Sequence, residues 1–163
     1  MNKMNFFLIF LLFSSLNCLD EIEYRITRGF IGRILDRFSL KFNRINGITA
    51  EYEAMQSGPN VPINTSKGKK NYNLTTEELG LPSLKELFKL FSKIDFPEET
   101  DWSDHRLYDV PFWHLLVDGK DYYSNVGAEF MTKFQEIVDL YTIKDYIVKK
   151  YNNDTSIQKS LNK

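Results

Sequence analysis

Apolar and polar residues alternate strictly in three successive stretches near the start of the chain, and each alternation predicts a half-buried β-strand. In EYRITRGF, Ile22, Tyr24 and Ile26 share one face while Glu23, Arg25 and Thr27 share the other. Gly29 and Gly32 bracket Phe30-Ile31, where glycine permits a tight bend or bulge. RILDRFSLKFN then sets Ile34, Phe38, Leu40 and Phe42 against Arg33, Arg37, Ser39 and Lys41. Asn46-Gly47 marks a hairpin turn, because both residue types tolerate positive φ. ITAEYEA alternates again, with Ile48, Ala50, Tyr52 and Ala54 opposed by Thr49, Glu51 and Glu53. Three antiparallel strands in sequence order are predicted, their outer face carrying Lys41 and Arg37 across from glutamates.

The period changes after that. Residues 56–74 hold two glycines, two prolines and the lysines Lys67, Lys69 and Lys70, and are read as a long loop with a possible binding role for the lysines. Thr75 with Glu78 forms a capping-box pattern, and Pro82 suits the first turn of a helix. SLKELFKLFSKI places Leu84, Leu87, Phe88, Phe91 and Ile94 on one helical stripe. Residues 95–111 are too rich in prolines and acids for a regular element. FWHLLVDGKDYYS predicts a second hairpin turning at Asp118-Gly119, with Trp113, Leu115 and Val117 on one strand face and Phe112, His114 and Leu116 on the other. GAEFMTKFQEIVDLY repeats apolar residues at helical spacing, with Ser124 or Asn125 as the expected cap, and a shorter helix over 143–151 follows. Residues 153–163 are polar and read as a flexible tail. The predicted architecture is α+β: an antiparallel sheet of about five strands with two main helices packed on one face.

The first seventeen residues stand outside this pattern. Lys3, the unbroken apolar run from Phe6 to Phe13 and the polar Ser14-Ser15 have the order of a secretory signal, and the run is too short to span a bilayer. Residues 1–17 are thus read as a signal peptide and 18–152 as one domain. Lys3 is the only charge in the signal, so the 21 basic residues fall to 20 against 22 acidic. That balance leaves no basic excess for nucleic acid. Thirteen Phe and nine Tyr supply ample core material.

Cys18 is the single cysteine of the 163 residues, so no internal disulfide forms. Ser15-Leu16-Asn17-Cys18 resembles the lipid-attachment box of bacterial lipoproteins, with Leu16 two places before the cysteine where the usual box has it three. The resemblance implies lipid attachment at Cys18 and a place in a bacterial cell envelope, periplasmic or on the outer surface; plain cleavage would give a secreted protein.

Chemistry is sparse. Asp101, Asp104 and His105 have the ligand types for a divalent cation but match no known spacing, and solvated loop acids are the simpler reading. His114 on a strand reads as a packed imidazole, and no nucleophile elbow, phosphate loop or poised carboxylate pair is present. No catalytic residue, metal or cofactor is assigned. Sequons at Asn64, Asn73 and Asn153 would accept glycans only in a eukaryotic secreted protein. Gly29-Phe30-Ile31-Gly32, the Leu84 to Phe96 segment and Leu115 to Tyr123 are together similar to emfourin-like proteins. That resemblance implies a small inhibitor of thermolysin-type metalloproteases. The expectation from the residues is a non-enzymatic protein-binding or inhibitory module, with Trp102 and Tyr108 as interface anchors beside Lys67, Lys69 and Lys70. An immunity protein against a secreted toxin and a metal-dependent envelope enzyme using Asp101, Asp104 and His105 are the alternatives.

Overall fold

A computed structural model describes residues 19–30, 33–56, 60–62, 65–98, 112–124 and 128–161. Six strands, β1 (Glu21–Phe30), β2 (Arg33–Asn43), β3 (Gly47–Met55), β4 (Ser66–Leu74), β5 (Phe112–Val117) and β6 (Lys120–Ser124), form one open antiparallel sheet in the order β4-β3-β2-β1-β5-β6. Among the described residues three helices, α1 (Leu84–Phe91), α2 (Glu129–Ile137) and α3 (Leu140–Leu161), complete the α+β fold.

The alternation read from the sequence sets the register. Ile22, Tyr24 and Ile26 pair with Phe42, Leu40 and Phe38, which pair in turn with Ile48, Ala50 and Tyr52. These side chains are buried on the helix side of the sheet. Opposite them, Lys69 meets Glu51 at 2.6 Å, Lys41 meets Glu21 at 2.8 Å and Arg37 meets Glu53 at 3.0 Å, so the outer face is a grid of ion pairs. His114 belongs to this outer face, its Nε2 lying 3.2 Å from Asp121 Oδ1 on β6. Burial draws its pKa down, against the pull of Asp121.

The sheet has six strands because part of the segment read as a loop is a strand. In β4 only Tyr72 and Leu74 bring apolar side chains to the core, while Lys67, Lys69, Asn71 and Asn73 point outward, so its first half carries no apolar period to detect. β3 supplies the template, and lysines on an edge strand are a recognised guard against pairing with other chains. Gly68, at φ +144°, marks where Tyr151 of α3 crosses this strand: the phenol donates to the Gly68 carbonyl at 3.2 Å, and its oxygen lies 3.4 Å from where a Cβ would stand.

Both helical ends differ from expectation in instructive ways. α1 is capped by Ser83, whose hydroxyl accepts from the Glu86 amide while Glu86 returns the bond, a full capping box. The Thr75–Glu78 box also forms, but closes only a turn that ends at Gly80 (φ +63°). α2 starts after Ala128 with no side-chain cap, in place of Ser124 or Asn125. α3 runs through to Leu161, so residues 153–161 of the predicted tail are helical. No glycine or proline interrupts them, and Asp154 ties that segment to β4 through Lys70 (3.5 Å) and the Tyr72 hydroxyl (3.4 Å).

Phe88 and Phe91 of α1, Phe134 of α2 and Phe42 of β2 meet in the centre of the core, with Phe42 and Phe91 ring centroids 5.3 Å apart and Phe91 and Phe134 5.4 Å apart. Each buried ring contributes about 1.5–3 kcal/mol.

Candidate binding cleft

The most unusual feature of the inner face lies beside a register shift in the first hairpin. Arg28 pairs with Asp36, but Gly29 pairs with Ile34, which leaves Leu35 as an extra residue on β2. The Arg28–Asp36 pair itself continues the register of Ile26 with Phe38, so strand alternation puts Asp36 on the same face as Phe38 and Leu40, where it is only 2 % exposed. Arg28 continues the inward series of Ile22, Tyr24 and Ile26. Two charges therefore stand where the pattern calls for apolar residues.

Asp36 is fully engaged. The Arg28 guanidinium donates through Nε to both carboxylate oxygens at 2.9 Å and through its terminal nitrogen to Oδ2. Lys144 of α3 donates to Oδ1 at 2.9 Å, and the Tyr52 hydroxyl lies 3.5 Å from Oδ2. Burial pushes the Asp36 carboxyl up, but the hydrogen bonds and charges of Arg28 and Lys144 outweigh it, and Asp36 stays ionised below the usual carboxylate range. Burial and, from the same charge, Asp36 raise Tyr52 to about 12. Lys144 is drawn down by burial, with Arg28 adding to that and Asp36 opposing it.

Arg28, Lys144 and Asp145 form the charged side of a cleft of about 250 Å³ between the sheet and the start of α3. Tyr24, Ile26 and Phe38 make its floor, Trp113 of β5 one wall, and Tyr141 and Val148 of α3 the other. Tyr141 is 74 % exposed, an uncommon position for a large aromatic ring. Trp113 Nε1 is buried and has no acceptor among the described residues. Sites for whole drug-sized ligands run to roughly 300–1,000 Å³, so this cleft is sized for one side chain or a small molecule.

The residues singled out from the sequence are scattered relative to it. Cys18, Trp102, Tyr108 and the Asp101, Asp104, His105 set lie outside the described residues. Lys67, Lys69 and Lys70 sit on β4, away from the cleft, where Lys69 and Lys70 are held by Glu51 and Asp154. Among the described residues no group of three or more His, Cys, Asp or Glu is placed to hold a metal ion. Sequence reasoning missed Asp36, Arg28, Lys144 and Tyr141. The first two left a trace, since an acid at the parity of Ile34 and Phe38 and an arginine at that of Ile26 break otherwise apolar series. The apolar spacing of GAEFMTKFQEIVDLY puts Tyr141 on a buried stripe, whereas α2 ends at Ile137 and Tyr141 stands exposed on α3. Lys144 left no trace, because a helix joined to the sheet by a long connection cannot be aligned with it from sequence.

Comparison with protein-family models, with curated proteins and with solved structures yields no match for this chain.

Proposed function

We propose that this is a lipid-anchored module of a bacterial cell envelope that binds a protein partner and catalyses no reaction of its own. The observation that carries the reading is the cleft under α3. It combines Trp113, Tyr141 and Arg28, the three residue types most enriched at interface hot spots, around a space that fits a single side chain. The buried carboxylate behind its charged side, Asp36, is occupied by Arg28 and Lys144 and held ionised, a state that suits a fixed recognition surface better than proton transfer. The aromatic floor favours an apolar or aromatic side chain, while Arg28 and Lys144 at the rim are matched by Asp36 and Asp145.

The test is affinity capture from envelope and secreted fractions of the source organism, using the protein and a Val148→Arg variant that fills the cleft. One stoichiometric partner, bound by the protein and lost with the variant at unchanged melting temperature, is the expected result. A partner captured equally by both would remove the cleft from the interface. If the partner is a metalloprotease, the role is inhibition, in keeping with the emfourin-like resemblance; if it is a toxin, the role is immunity.

A further inference from the structure

The described chain begins at Leu19, the residue that follows Cys18. The Leu19 side chain is buried in the core, and its carbonyl accepts from Arg44 Nε and its terminal nitrogen at 3.0 and 2.7 Å. The next two amides, of Asp20 and Glu21, both donate to Asp118 Oδ1, at 3.0 and 2.7 Å. A group carried by Cys18 is thus separated from the pinned backbone by a single Cα to Cα step of about 3.8 Å, with no linker between.

Two other features share that end of the sheet. In the turn between β2 and β3, Asn43 Oδ1 accepts from the amides of Ile45 and Asn46 at 3.0 and 2.8 Å and Gly47 takes φ +87°. This presents Ile45, 90 % exposed, at the tip. Beside it, Arg44 lies over the Phe88 ring at 4.9 Å and opens a shallow groove that Lys85 and Lys89 of α1 also line. The one carboxylate in the groove, Glu86, is spent on the Ser83 cap, while Asp20 lies 3.6 Å from Arg44 and Asp118 is taken by the two amides.

We propose that this end of the sheet lies against the membrane, with Ile45 set into the lipid interface and Lys85 and Lys89 facing lipid phosphates. The proposal rests on the lipid at Cys18 proposed above. A tether without slack fixes which end meets the bilayer, and a single apolar tip with nearby cations adds interfacial contact at that end. The orientation also turns the far end of the sheet, with the bulge and the cleft, away from the lipid and toward a partner.

The test uses the full chain made in a bacterial host, with Ile45→Cys or Leu35→Cys carrying an environment-sensitive fluorophore. Leu35, 42 % exposed, stands roughly 25 Å up β2 from the turn. Because Cys18 is the only native cysteine, its lipidation leaves the introduced thiol as the one to label. The mass of the amino-terminal peptide reports whether Cys18 carries lipid. In vesicles of phosphatidylcholine and phosphatidylglycerol with brominated acyl chains, quenching at position 45 should exceed that at 35 several-fold. Lipid on Cys18 with equal quenching at both positions, or more at 35, would overturn the orientation and leave the anchor standing. A Cys18 without lipid would end both. Adding Lys85→Glu and Lys89→Glu should reduce quenching at 45 only when phosphatidylglycerol is present; no reduction would strike the phosphate contact from the proposal.

Discussion

The two faces of the sheet use the same charged residue types to opposite physical ends. On the outer face, Lys69 with Glu51, Lys41 with Glu21 and Arg37 with Glu53 pair in contact with water, where each such pair contributes about 0–1 kcal/mol and is screened by salt. On the inner face, Arg28, Asp36 and Lys144 pair beside the aromatic floor of the cleft, with Asp36 almost wholly out of water. There the desolvation cost is large, and the arrangement holds only because every partner is in place. Counting salt bridges would rank the outer face higher; burial reverses the ranking.

The strongest test of that contrast removes the shared partner. Asp36→Ala should lower unfolding free energy by about 3 kcal/mol in urea titration, because it strands the largely buried Lys144 beside Arg28. The value sits at the low end of the range for buried pairs because the Arg28 side chain is 51 % exposed and can rehydrate. A loss below about 0.5 kcal/mol would put the cluster on a par with the surface pairs.

The pH dependence should follow the same residue. A carboxyl whose pKa is lower in the folded than in the unfolded chain adds stability that is complete above the unfolded value, about 3.9, and is lost as pH falls through the folded one. Acid unfolding of the protein should therefore steepen below about pH 4, and Asp36→Asn should flatten that limb more than Glu51→Gln does. Equal flattening by the two would erase the distinction between faces.

A smaller effect is expected where α3 crosses the edge strand. Gly68→Ala should destabilise by about 1–2 kcal/mol, because alanine is strained at φ +144°, while its methyl group would meet the Tyr151 hydroxyl at an ordinary contact distance. Thermal unfolding of the variant checks this, and Tyr151→Phe beside it reports separately on the hydroxyl's bond to the Gly68 carbonyl. Smallest of all, Lys69→Met should change stability by about 0.5 kcal/mol or less, a difference that should vanish in high salt.

Much of the molecule was legible in its sequence. The first three strands, their inward and outward faces, the hairpin at Asp118-Gly119 and the buried stripe of α1 follow from side-chain period alone, because each element buries one face and exposes the other. β4 did not follow, since a strand whose first half is Lys-Gly-Lys-Lys is recruited by the edge of β3 and by Tyr151 and Asp154 packed over it. The last turns of α3 were hidden for a similar reason: their polar residues carry no stripe, and their contacts with β4 lie more than eighty positions back in the chain.

The candidate site divides along the same line. Sequence by itself determined the inward parity of positions 28 and 36, because alternation along a strand is a local property of the backbone, although the charges there hid it from the apolar pattern. Only the tertiary structure decided that the register of β1 on β2 sets them opposite one another, that α3 brings Lys144 to the same carboxylate and Tyr141 to the cleft, and that Leu19 is pinned beside the turn bearing Ile45. Those are meetings between distant segments, fixed by how the helices close over the sheet, and no period within a single segment encodes them.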